Sequence, residues 1–151
     1  MITHNLFPTP VSFLELGREF SDEETDFLLN LEQKPNDGNT TSKERHLLDD
    51  PKLASLREFM DASVASYFKE IYSPKNEVGL RITQSWVNYT KPGQWHHKHA
   101  HPNSFISGVF YIKANKETDR IHFFKDGYQQ IKLPVDQFNL YNSESWWLPV
   151  G

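Results

Sequence analysis

The chain has 151 residues, 37% hydrophobic and 14% aromatic, which is enough apolar matter for one buried core and weighs against disorder. A formal charge of −4 removes the general electrostatic pull of a nucleic-acid binder, and no Lys/Arg-rich block supplies a local one. With no cysteine, disulfides and thiolate metal sites are excluded, so any metal would be held by His, Asp, Glu, amide or water.

Met1-Ile2-Thr3-His4-Asn5 has no basic stretch followed by an apolar one, so no secretory signal is expected. No apolar run approaches the roughly 20 residues needed to cross a bilayer, and a cytoplasmic protein without membrane contact is the expectation. Leu6 to Leu16 predicts one or two short strands, interrupted by Pro8 and Pro10, whose missing amides suit a sheet edge. Ser21-Asp22-Glu23-Glu24 has the spacing of a capping box, and Phe27, Leu28 and Leu31 continue it as a short amphipathic helix ending near Gln33. Lys34 to Arg45 is polar, with Asn36-Asp37-Gly38-Asn39 as its turn signal, and reads as a structural surface loop. Asp50-Pro51 then opens a second helix, whose apolar stripe of Leu53, Leu56, Met60, Val64, Tyr67, Phe68 and Ile71 is assigned to packing on the protein's own sheet.

From Leu80 onward the texture changes to short runs of aromatic and β-branched residues separated by Gly, Pro and Asn. Candidate strands are 80–90, 96–101, 105–113, 120–125, 130–133, 138–142 and 145–150. Helices first and strands afterwards predict a single α+β domain over residues 1–151, with the N-terminal strand and helices in 1–79 and a sandwich or jelly-roll core in 80–151.

Within that core, His97-Lys98-His99-Ala100-His101-Pro102 places three imidazoles on alternate positions. On an extended segment His97, His99 and His101 project one way, His96 and Lys98 the other. Pro102 disfavours helix for His101, which favours that extended backbone. Imidazoles suit zinc, copper, iron and nickel, so the run points to a transition metal without naming it. In the following run, Ile106, Phe110 and Ile112 share one face, and Ser107, Val109 and Tyr111 share the other. The hydroxyls of Ser107 and Tyr111 therefore either bond to backbone or enter a ligand pocket. Gly108 would allow close approach of another segment or a ligand.

Gln84-Ser85-Trp86-Val87-Asn88, Pro92-Gly93, His99-Ala100-His101-Pro102-Asn103-Ser104 and Ser107-Gly108-Val109-Phe110-Tyr111 together resemble the core of a group of proteins classed as 2-oxoglutarate- and iron(II)-dependent oxygenases, found in bacteria and tailed phages, including cyanophages. The resemblance covers roughly residues 80–125. It implies a double-stranded β-helix (jelly-roll, cupin-like) carrying the N-terminal helices, with iron(II) at one mouth and 2-oxoglutarate as chelating co-substrate. The implied activity is C–H hydroxylation with decarboxylation of 2-oxoglutarate to succinate and CO2, in the host cytoplasm if the gene is a phage's. His99 matches the first metal ligand and His101 the ligand two residues on, and His97 is left as a supporting or spare group. Tyr111, with Ser107 and Asn88, is the candidate set for hydrogen-bonding the co-substrate.

The sequence departs from that pattern in two places. The widespread motif is His-x-Asp or His-x-Glu, whereas His101 stands here in place of the carboxylate. Related sequences continue past a segment like Trp146-Trp147-Leu148-Pro149-Val150-Gly151 into strands with a distal histidine and an arginine, so the jelly roll is expected to be incomplete at the C-terminus. His122 and Arg120 do not match those two positions and are read as structural.

Two other readings compete with the oxygenase. One is a non-catalytic jelly-roll binding module with a vestigial metal site. The other is a cupin-type metalloenzyme using His97, His99 and His101 without a keto-acid; residues i and i+4 of an extended strand lie about 13 Å apart, which weakens it. The expected partners are a small-molecule co-substrate and an unidentified prime substrate, and the sequence is compatible with a homo-oligomer.

Overall fold

The Ser21 capping box closes as its spacing predicts: the hydroxyl accepts from the Glu24 amide at 3.1 Å, and the Glu24 carboxylate accepts from the Ser21 amide at 3.0 Å. Helix α1, Asp22–Leu29, grows from this cap and buries Leu28. Arg18 grips the Glu24 carboxylate with two nitrogens, at 2.6 and 2.7 Å, and reaches Ser55 at 3.3 Å, tying the N-terminal segment to the second helix.

Helix α1 ends short of Gln33 because Gln33–Pro35 is strand β1. It pairs antiparallel with β2, Thr40–Ser42, in the register Gln33↔Ser42, Lys34↔Thr41 and Pro35↔Thr40. The predicted surface loop is therefore a hairpin, and its turn residue Asn39 is buried along with Thr41 and Ser42. Asn36 donates its amide to the Asn39 carbonyl at 3.0 Å, closing the turn. Strand β3, Asn88–Tyr89, completes the sheet in the order β1-β2-β3.

The Asp50 side chain accepts from the Lys52 amide at 2.9 Å and caps a 3-10 turn, Pro51–Leu53, that leads into α2, Ala54–Tyr67. A π-helical turn, Phe68–Tyr72, prolongs it through Ile71, the last residue of the predicted stripe. Leu28, Leu47, Leu53 and Leu56 are the buried apolar residues where α1, the 3-10 turns and α2 meet. Each such side chain contributes roughly 1.5–3 kcal/mol by leaving water. Beyond α2, Phe105 packs on Tyr72 and Phe68, with ring centres 4.8 and 5.8 Å apart.

The computed structural model describes residues 1–125 and 134–151, in two compact units, Met1–Ser107 and Gly108–Gly151. In the second unit β4, Arg120–Phe124, pairs antiparallel with β5, Ser145–Pro149, from Arg120↔Pro149 to Phe124↔Ser145. These match the candidate strands 120–125 and 145–150; 130–133 lies outside the described residues. Arg120 donates to the carbonyls of Lys116, Glu117 and Asp119 and lies over the Trp147 ring at 4.7 Å. His122 sits opposite Trp147 in the hairpin.

Several expected strands are absent from the described residues. Leu6 to Leu16 is irregular, in keeping with the amides that Pro8 and Pro10 withhold. Of 80–90 only Asn88–Tyr89 is a strand, because Ser85 and Val87 bond instead to the segment 42–48. Residues 138–142 form a turn on the Asn139 side chain, which accepts from the Tyr141 amide at 2.8 Å. Neither 96–101 nor 105–113 joins a ladder. No helix among the described residues is long and apolar enough to cross a membrane.

Candidate metal site

The hairpin turn holds the histidine segment from one side. Trp95 donates its amide to the Gly38 carbonyl at 3.2 Å, and a Cβ on Gly38 would stand 2.5 Å from the Trp95 carbonyl oxygen. Gly38 also has φ +82°, so glycine is required there for both conformation and space. The next residue, Asn39, donates to His96 Nδ1 at 3.1 Å and to Thr90 Oγ1 at 2.9 Å, and Asn36 donates to Asn39 Oδ1 at 2.8 Å. His97 Nδ1 lies 3.4 Å from the Asp37 carbonyl.

Freed from a β-ladder, the segment does not alternate its side chains as a strand would. The His96 ring, expected on the opposite face, lies 4.7 Å from His99 and 5.0 Å from His97; His99 is also 4.7 Å from His97 and 4.9 Å from His101. His96, His97 and His99 each offer a nitrogen within 4.8 Å of the others. The three-histidine group that converges is thus His96, His97 and His99, not the His97, His99 and His101 set that alternation predicts.

His99 and His101 make the closest approach, Nε2 to Nε2 at 2.9 Å. Their other nitrogens decide what those atoms carry. His99 Nδ1 lies 2.8 Å from the His97 carbonyl, which can only accept, so Nδ1 bears the hydrogen and Nε2 a lone pair. His101 Nδ1 lies 3.1 Å from Ser107 Oγ. Ser104 gives its hydroxyl hydrogen to the Ile106 carbonyl at 2.7 Å, so it can only accept from Ser107 at 3.1 Å. Ser107 in turn accepts from His101 Nδ1–H, which leaves His101 Nε2 a lone pair as well. Two lone pairs at this distance repel unless the nitrogens share a proton or converge on a metal ion.

The donor set fits a transition metal. Two nitrogens bound at right angles about 2.1 Å from one ion stand about 3.0 Å apart, close to the observed separation. A backbone carbonyl receiving the far N–H, as at His99, is a usual support of metal-bound imidazoles, and Ser107 takes the same place at His101. Burial, reinforced by His99, holds His101 below the ordinary imidazole pKa; His96 is lowered by burial and by the His99, His97 and His101 rings. Both therefore favour the neutral form that a ligand needs.

Trp86 and His101 pack edge to face with ring centres 5.3 Å apart, and Arg45 lies over the Trp86 indole at 4.9 Å, so an aromatic wall backs the pair. Of the expected co-substrate groups, Ser107 is brought to His101, and Asn88 is exposed on β3 in the same unit. Tyr111 belongs to the second unit; burial raises its phenol pKa, with Asp119 adding to the effect. Sequence reasoning missed Asn36, Gly38, Asn39, Arg45 and Ser104. The Asn-Asp-Gly-Asn signal announced a turn but not what the turn would hold.

No curated protein and no solved structure matches the chain. Residues 84–144 match a family model described as "Putative 2OG-Fe(II) oxygenase". That match supports the 2OG-Fe(II) oxygenase family as the kin of the segment that carries the four clustered histidines.

Proposed function

We propose that the chain is a 2-oxoglutarate- and iron(II)-dependent oxygenase, or part of one, in which His99 and His101 hold the metal. The 2.9 Å approach of His99 Nε2 to His101 Nε2 is the observation that carries this reading. Iron(II) with 2-oxoglutarate and oxygen supplies the power to hydroxylate a C–H bond while the keto-acid is decarboxylated to succinate and CO2.

The chain's own residues supply position. The His97 carbonyl and Ser107 fix the two rings with their lone pairs converging, and Trp86 limits the swing of His101. Ser107 thus serves the site through His101, while Asn88 and Tyr111 are the proposed hydrogen-bond partners of the co-substrate. A neutral imidazole at the place of the usual carboxylate leaves the metal with one more positive charge, which suits an anionic keto-acid. The double-stranded β-helix is the architecture this reading implies, supported by the family match.

The test is succinate formation from 2-oxoglutarate with iron(II) and ascorbate. Turnover in the wild type that is lost in His99→Ala and His101→Ala is the expected result. Metal binding with no turnover under any condition would instead favour the non-catalytic binding module.

A further inference from the structure

Of the four clustered histidines, His96 alone is held by amide nitrogens. Asn39 is 5% exposed, and its two amide hydrogens have two acceptors, Thr90 Oγ1 at 2.9 Å and His96 Nδ1 at 3.1 Å. Its carbonyl oxygen is occupied by Asn36 Nδ2 at 2.8 Å, and that same Nδ2 lies 3.4 Å from His96 Nδ1. An amide nitrogen can only donate, so His96 Nδ1 is an acceptor and the ring hydrogen sits on Nε2. That is the reverse of His99 and His101, whose hydrogens sit on Nδ1.

We propose that Asn39 is a positioning residue that locks His96 in its Nε2–H form, keeping it out of the metal's coordination shell and making it a hydrogen-bond donor beside the metal. The inference rests on the reading of His99 and His101 as ligands. Crowded histidines could otherwise compete for one ion, and opposite tautomers sort them. His99 and His101 present lone pairs, whereas His96 presents a hydrogen suited to an oxygen of a carboxylate bound alongside. Gly38 serves the same end by bringing the turn against Trp95, the residue before His96.

The test uses the metal-free full chain. Nitrogen-15 NMR at pH 8 should show His96 bare at Nδ1 and protonated at Nε2; in Asn39→Asp, whose carboxylate accepts, the pattern should reverse. Cobalt(II) titration of His96→Ala should give an affinity within about threefold of the wild type, against a loss of tenfold or more in His99→Ala. A wild-type His96 protonated at Nδ1, an unchanged tautomer in Asn39→Asp, or a loss in His96→Ala equal to that in His99→Ala would overturn the proposal. If His99→Ala binds cobalt as the wild type does, the ligand assignment fails instead, and the tautomer measurement still judges Asn39.

Discussion

Gly38→Ala isolates the contact between the hairpin turn and the histidine segment. At φ +82° an alanine incurs about 1–2 kcal/mol of left-handed strain. Its Cβ would also meet Trp95 at 2.5 Å from the carbonyl oxygen and 2.7 Å from the indole nitrogen, so the turn and the segment must part. Losing the Gly38–Trp95 and Asn39–His96 hydrogen bonds adds about 1 kcal/mol each, for a total of about 3–4 kcal/mol. Gly93→Ala is the control, because Gly93 has the same φ of +82° with nothing within 4 Å of its added Cβ, leaving the strain alone. Urea unfolding followed by tryptophan fluorescence should place Gly38→Ala about 1–2 M below Gly93→Ala in midpoint. Equal midpoints would refute the docking of the turn on Trp95.

Three further outcomes follow from the same contacts. Ser107→Ala removes the acceptor of His101 Nδ1–H and should weaken cobalt(II) binding about tenfold, as read by calorimetry. Glu24, held down to about 2 mainly by Arg18, stabilises the fold fully above its ordinary pKa of 4.5 and loses that contribution as pH falls toward 2. Allowing for screening at the partly exposed Arg18, Glu24→Gln should cost about 2 kcal/mol at pH 7 and almost nothing near pH 2 by urea titration. His96 and His101 are lowered from 6.5, so the metal-free protein should be most stable above that pH and weaken on acidification below it; thermal melts across pH 5–8 check the sign.

The local elements written by short-range chemistry were legible in the sequence. Ser21 with Glu24, and Asp50 with Pro51, announce helix starts because capping depends on a few adjacent atoms. The candidate strands at 120–125 and 145–150 were legible from aromatic and β-branched content. What escaped was non-local. A strand would alternate the side chains of residues 96–101, but their neighbour is the Asn36–Asn39 turn, some sixty positions earlier. Long separation in sequence likewise hid Asn39 as a buried polar residue and Arg45 as the support of Trp86. His99 and His101 could be singled out by type and spacing, but the hydrogen-bond chain that sets their lone pairs runs through Ser107 and Ser104, whose roles only the folded geometry defines.

The pairing of His99 and His101 as metal ligands carries the proposed chemistry. Anaerobic calorimetric titration of the full chain with iron(II), repeated with His99→Ala, His101→Ala and His122→Ala, addresses it directly. One ion per chain is predicted for the wild type and for His122→Ala, with affinity falling at least tenfold in each of the other two variants. Binding that survives both substitutions, or a wild type that takes up no metal, would contradict it.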